Sequence, residues 1–118
     1  MHEMSLAVEI LRIADEAAAE AGAGRVLRVG VGVGWLLQVE EQSLAFHLRA
    51  MRQDYPRLRE AVFDLAEEAV RVRCRACGEE TQQADWGFSC GSCGCRDVAV
   101  VTGDRLEVQD MEVLTDDV

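Results

Sequence analysis

The sequence predicts a mixed α/β domain carrying a small metal-binding segment, on three observations. An amphipathic run opens the chain, a valine–glycine run with a period of two follows it, and four of the five cysteines stand in two Cys-x-x-Cys pairs in the second half. The 118 residues suffice for one ordinary domain, or a small domain with an even smaller lobe. With 49% hydrophobic residues and one proline a packed interior is expected, with disorder only at the acidic end, residues 115–118.

Leu6, Ile10, Ile13, Ala14, Ala17 and Ala21 recur at intervals of three and four, with Glu9, Arg12, Glu16 and Glu20 on the other side, which predicts a helix over residues 4–21. Gly22 and Gly24 end it, since glycine readily takes the left-handed conformation that closes a last turn. Over residues 25–34, Leu27, Val29, Val31 and Val33 point one way and Arg28, Gly30, Gly32 and Gly34 the other, as in a strand. These glycines lie in a β-branched bed and not in a turn into a helix, so close backbone packing or a bulge explains them better than a phosphate loop. Residues 40–53 read as a second helix, with Leu44, Leu48 and Met51 as its stripe and Tyr55-Pro56 as its stop. His47 sits near that stripe, where a hydrogen-bonded histidine at the core edge fits better than a metal ligand.

Residues 58–73 admit two readings. Leu58, Val62, Leu65, Ala69 and Val72 fit a helix, whereas Ala61, Phe63 and Leu65 followed by Val70 and Val72 fit a strand with an irregularity between; periodicity alone leans helical. The metal-binding segment spans 73–96. Beyond it, 98–101, a Thr102-Gly103-Asp104 turn and 105–114 read as extended. In the last stretch Leu106 and Val108 share one parity and Met111 and Val113 the other, so a bulge is expected near Gln109-Asp110.

Twenty-two acidic residues against twelve basic ones give a net charge of −10, a field that repels phosphates and excludes nucleic acid as a partner. Arg71, Arg73 and Arg75 read as solvated charges on a strand leading into the metal site. The longest apolar-plus-glycine stretch, 29–37, falls far short of the ~20 residues that cross a bilayer, so no membrane span is expected. The amino terminus has neither a basic region nor a cleavable apolar one, which points to a cytoplasmic protein.

Cys74-Arg-Ala-Cys77-Gly78 and Cys90-Gly-Ser-Cys93-Gly94 are two knuckles separated by twelve residues. Two intervening residues let both sulfurs face one ion, and the glycine permits the turn that brings backbone N–H groups to the thiolates. Four soft anionic ligands in tetrahedral array suit structural zinc; a rubredoxin-like iron centre uses the same knuckles, and spacing does not separate the two. A second matching pair argues against a thioredoxin-like redox motif. Cys95 is left over, as a free thiol or an occasional substitute ligand.

His2 is one of only two histidines. A terminal amine, the His2 backbone nitrogen and the His2 imidazole close adjacent chelate rings on one ion, and Glu3 offers a further donor; four such donors in a plane suit Ni²⁺ or Cu²⁺. The bulky His2 should also leave Met1 in place. Met1-His2-Glu3 opening a helix, then Arg25-Val-x-x-Val29 with Gly34, then Val39-Glu40 leading to Ser43-Leu44-Ala45-Phe46, and finally the paired knuckles together resemble the HypA/HybF family of hydrogenase nickel-insertion proteins, in order and over essentially the whole chain.

That resemblance implies a nickel-binding α/β domain, residues 1–72 plus 97–118, with a small antiparallel sheet covered by two helices. It also implies a zinc-binding lobe, 73–96, inserted before the last strand, and a largely extended 61–73. The nickel ligands it implies are Met1 and His2, with Glu3 and Glu40 in support; the zinc ligands are Cys74, Cys77, Cys90 and Cys93. The function it implies is that of a metallochaperone and not an enzyme: nickel is the transported ion and zinc the structural one. Its partners would be a hydrogenase maturation GTPase and the precursor of the [NiFe]-hydrogenase large subunit. The alternative is a zinc-ribbon adaptor that binds proteins and holds no second metal. An enzyme fits poorly, because with four cysteines committed nothing places Cys95 and His47 together.

Overall fold

The first helix forms because alanine, leucine and isoleucine dominate one face of an uninterrupted run of good helix formers. A computed structural model of the chain describes residues 2–83 and 86–115, with the backbone alone for residue 2. The disorder expected at the acidic end concerns mainly 116–118, which lie outside the described residues. Helix α1, His2–Glu20, buries Ala7, Ile10, Leu11, Ala14 and Ala18 completely. That stripe is rotated by one residue from the expected one: Leu6, Ile13 and Ala17 flank it half-buried, and Ala21 is exposed. Small alanines on the inner line let α1 pack closely against α2 and the last strand. The helix ends as expected, with Gly22 at φ +71° and its N–H donating to the Ala19 carbonyl at 3.1 Å.

Helix α2, Glu41–Met51, buries Leu44 and Leu48, each worth about 1.5–3 kcal/mol of removed apolar surface. His47 is half-buried and edge-on to Phe46 at 5.5 Å. Two 3-10 turns follow, Arg52–Asp54 and Pro56–Leu58, and the second drops Leu58 into the core. Tyr55 between them is extended, as a residue before proline prefers.

Strands β1 (Ala23–Gly34), β2 (Val62–Glu68) and β6 (Leu106–Thr115) form one sheet in the order β2-β1-β6. The expected alternation of β1 holds only in part. Val26 and Val29 are both fully buried although three apart, and Leu27, expected on the same face as Val29, is 36% exposed. The helical leaning of 58–73 is overturned: β2 and β3 (Val70–Cys74) occupy it, interrupted at Ala69. Burial alternates along β2, so Val62, placed on the helical stripe, is 56% exposed while Phe63 and Leu65 turn inward. Helical spacing there was produced by two alternating runs meeting at one irregular residue. In β6 the parity of half-buried residues changes across Gln109 and Asp110, both exposed, where the sequence pattern changes it.

Contacts divide the chain into two compact units, the first comprising 1–32, 39–66 and 106–118, the second 33–38 and 67–105. The cysteine segment 73–96 lies inside the second. Residues 67–72 and 97–105, grouped with the larger part by the sequence reading, cluster with the cysteines because β3 is the centre of their sheet. It pairs antiparallel with β4 (Glu80–Gln83) and with β5 (Val98–Thr102), with Val72 opposite both Thr81 and Val100 and a register shift at Arg71/Val72. Val70, Val72 and Cys74 are its buried residues. Gly34 and Gly103 permit a close backbone crossing in this unit: the Gly34 N–H donates to the Arg105 carbonyl at 3.0 Å and the Leu36 N–H to that of Gly103 at 2.9 Å. A Cβ on Gly34 would stand 2.5 Å from the Gly103 carbonyl. Among the described residues no helix is long and apolar enough to cross a membrane.

Candidate metal centre

Both knuckles are built by the same local hydrogen bonds. Cys74 ends β3; its N–H donates to the Glu79 carbonyl at 2.9 Å, and its carbonyl accepts from Gly78 at 2.9 Å. Sixteen residues on the pattern repeats: Cys90 N–H donates to the Cys95 carbonyl at 2.8 Å and its carbonyl accepts from Gly94 at 2.9 Å. Gly78 and Gly94 stand at φ +80° and +79°, the left-handed region that lets each turn close without a Cβ penalty. Strand β4 positions the second knuckle, because Thr81 Oγ1 accepts from the Gly91 N–H at 3.0 Å. The sequence reading missed β4; Glu80-Thr-Gln-Gln carries no apolar alternation by which to find it.

The four predicted sulfurs come together, all within 4.8 Å of one another, with Cys74–Cys93 and Cys77–Cys90 at 3.6 Å. A tetrahedral ion with metal–sulfur bonds of ~2.3 Å requires sulfurs about 3.8 Å apart, so the cage fits a zinc-sized ion. Cys74 and Cys90 are buried, Cys77 and Cys93 exposed. Cys95 is not one of the four: its Sγ accepts from the Asp97 N–H at 3.4 Å, and its contribution is the carbonyl that holds Cys90.

Electrostatics prepare two of the four thiolates. Backbone N–H groups of Cys77 and Ala76 point at Cys74 Sγ, at 3.4 and 3.3 Å, and those of Cys93 and Ser92 at Cys90 Sγ, at 3.4 and 3.3 Å. These donors hold both thiols below the ordinary range, Cys90 at about 6. The partner cysteines go the other way. The backbone N–H of Cys95 lowers Cys93, but hydrogen bonding with Cys74, desolvation and the Cys90 sulfur together push it up to about 12. Cys77 is likewise raised by Cys90, burial and Cys74 against the N–H of Glu79. Two sulfurs thus ionise readily, and the others give up their protons to a cation.

The three arginines of the strand leading into the site are paired and form no basic patch. Arg71 and Arg73 both reach Glu80, and Arg75 meets Asp97 at 2.7 Å.

Of the residues assigned to nickel, Met1 and the His2 side chain lie outside the described residues. Glu3 and Glu40, far apart in sequence, meet: the Glu40 N–H donates to Glu3 Oε2 at 3.1 Å. The Glu40 carboxylate is itself the cap of α2, accepting from Ser43 N–H at 2.6 Å and Gln42 N–H at 3.3 Å. Sequence reasoning did not see this cap: the residues favoured there are Ser, Thr, Asp and Asn, and glutamate gave no such signal at the start of the expected helix.

The HypA profile, described as "Hydrogenase/urease nickel incorporation, metallochaperone, hypA", matches residues 1–113. The chain is 32% identical over 114 residues to the hydrogenase maturation factor HypA of Acidithiobacillus ferrooxidans, covering 96% of this chain and 99% of that one. It is 33% identical over 114 residues to the HypA of Rhizobium leguminosarum, covering 97% and 100%. In fold it is similar to the solution structure of the nickel metallochaperone HypA from Helicobacter pylori, with a TM-score of 0.79 at 21% identity over 98% of this chain and 100% of that one. A profile match spanning nearly every residue, with relatives above 30% identity along their full length, shows that the chain belongs to the HypA family of hydrogenase/urease nickel-incorporation metallochaperones.

Proposed function

We propose that the chain binds Ni²⁺ at its amino terminus, through the Met1 amine and His2 with Glu3 and Glu40 in support, and passes it to the precursor of the [NiFe]-hydrogenase large subunit. It acts in the cytoplasm alongside a hydrogenase maturation GTPase. Cys74, Cys77, Cys90 and Cys93 hold zinc, which folds the lobe and takes no part in transfer.

The observation that carries the nickel assignment is the Glu3–Glu40 hydrogen bond, which fixes a carboxylate beside the start of α1. Helix α1 begins at His2, so the amide nitrogens of His2 and Glu3 are among the first four, which have no partner within the helix. A metal that replaces their protons breaks no helical hydrogen bond. Nitrogen and oxygen donors suit Ni²⁺, and a closed four-thiolate cage suits zinc.

Nickel titration of the untagged chain tests the reading. One equivalent should bind, and His2→Ala or one residue added before Met1 should abolish stoichiometric binding while zinc content and helical circular dichroism stay unchanged. The chain has no lysine, so the α-amine is its one primary amine, and bound nickel should slow stable N-acetylation at Met1, read by peptide mass spectrometry. Equal nickel binding by wild type and His2→Ala would replace this reading with the zinc-ribbon adaptor.

A further inference from the structure

The cysteine unit holds aromatic surface that metal binding does not use. Trp35 opens a 3-10 turn, Trp35–Leu37, fixed by the Gln38 side chain donating to the Trp35 carbonyl at 2.7 Å. The Trp86 ring stands 4.7 Å from that of Trp35 at a 44° tilt, and Phe88 lies 6.4 Å beyond, nearly parallel. Both tryptophans of the chain therefore sit in one cluster, and Trp86 is 59% exposed. The Gln83 amide ties Ser89 to the end of β4, donating to the Ser89 carbonyl at 2.8 Å and accepting from the Ser89 N–H at 3.1 Å.

Beside Trp35 opens a cleft of about 230 Å³ lined by Trp35, Glu67, Ala69, Val70, Gln82 and Gln83. Its chemistry is one-sided. Glu67 is exposed and has no ion-pair partner among the described residues, two side-chain amides offer further acceptors, and no arginine lines the cleft. An aromatic face beside an unpaired carboxylate, on a chain of net charge −10, is complementary to a planar cation. Gln82 and Gln83 end β4, an outer strand of its sheet, so a ligand backbone reaching the cleft would run along an edge.

We propose that this cleft receives an arginine side chain carried on an extended segment of a partner protein. The guanidinium stacks on the cleft side of Trp35, pairs with Glu67 and takes the Gln82 or Gln83 amide oxygen, while Trp86 packs against the Trp35 ring and supports it. Attraction between a basic segment and this acidic chain speeds the encounter.

The test is tryptophan fluorescence of the metal-loaded full chain titrated with acetyl-Thr-Val-Arg-Val-Thr-amide, and with the same peptide carrying citrulline, which keeps the shape and loses the charge. Saturable binding is expected, with the arginine peptide about tenfold tighter, as a charge-assisted hydrogen bond supplies. Glu67→Gln should weaken the arginine peptide about tenfold and leave the citrulline peptide unchanged, with metal content and circular dichroism intact. Trp86→Leu should weaken the arginine peptide severalfold, with Trp35 as the remaining fluorophore. Equal affinity for the two peptides, no effect of Glu67→Gln, or no binding at millimolar peptide would overturn the proposal. So would a Trp86-dependent dimer by light scattering, which would assign the aromatic face to a second copy of the chain.

Discussion

Replacing Gly34 by alanine isolates a steric effect from a conformational one. Gly34 stands at φ −62°, ψ 135°, a conformation open to any residue, so alanine meets no backbone penalty there. A Cβ at that position would nevertheless lie 2.5 Å from both the carbonyl carbon and oxygen of Gly103 and 2.8 Å from the Arg105 nitrogen, all backbone atoms with no rotamer to turn. Relief requires the two segments to separate, which stretches the hydrogen bonds from Gly34 to Arg105 and from Leu36 to Gly103. Overpacking costs about 1–3 kcal/mol, a weakened hydrogen bond about 1 kcal/mol, and the reduced freedom of the unfolded chain returns about 0.4–1 kcal/mol. The net expectation is a destabilisation of about 2 kcal/mol, or a fall of about 1 M in the urea midpoint for a slope near 2 kcal/mol/M. Urea unfolding followed by tryptophan fluorescence at matched metal content measures it. Gly94→Ala is the control, because its added Cβ meets nothing within 4 Å and any cost there comes from φ +79°. A Gly34→Ala protein within about 0.5 kcal/mol of wild type would refute the steric account.

Metal affinity of the cysteine site should rise with pH, because Cys77 and Cys93 are raised, Cys93 to about 12, and keep their protons through the neutral range until the ion displaces them. At least two released protons give about a hundredfold or more per pH unit through the neutral range, steepening below about 6 where Cys90 also protonates; competition with a chromophoric chelator measures the slope, and a slope below tenfold per unit contradicts the assignment. Glu40→Ala should cost about 1.5 kcal/mol, from lost capping of α2 and lost carboxylate–dipole attraction, and Glu40→Gln about 0.5, since it keeps an acceptor oxygen. Nickel affinity that tracks this cap loss places the action of Glu40 through its N–H on Glu3, whereas equal nickel loss in the two variants makes the carboxylate a direct ligand.

What was legible in the sequence is what local chemistry determines alone. Each knuckle is a self-contained turn whose donors, acceptors and positive-φ glycine lie within six residues, so Cys74 to Gly78 and Cys90 to Gly94 announce their structure without help from the rest of the fold. Helices α1 and α2 were visible for a similar reason, although the buried line of α1 moved by one residue because close approach to α2 favours Ala7, Ala14 and Ala18 over bulkier neighbours. The strands were harder. Whether Leu27 or Val26 turns inward, and whether 62–72 is one helix or two strands, depends on partners distant in sequence. The same holds for the Glu3–Glu40 contact and the Trp35–Trp86 cluster, which topology creates and no pattern within either segment records.

The two metal assignments differ in the same way, and the difference bears on what each site is for. The thiolate cage is made by repeated local hydrogen bonds, four of them from backbone N–H groups onto sulfur, and two of its cysteines are buried. An ion there leaves only when the turns themselves open, as suits an ion whose binding energy is part of the folding energy. On the proposed nickel assignment, the donors lie at the first turn of a helix, where amide nitrogens have no partner within the helix, and the hydrogen bond from Glu40 N–H to Glu3 is among the ties of that turn to α2. A hydrogen bond of this kind costs about 0.5–1.5 kcal/mol to break, and the donors stand outside the core of Ile10, Leu11, Leu44 and Leu48, so rearranging them around a departing ion leaves that core packed. A carrier must hold its cargo selectively yet release it to a better site, and donors at a helix end, outside the core, meet both requirements where a closed cage meets only the first.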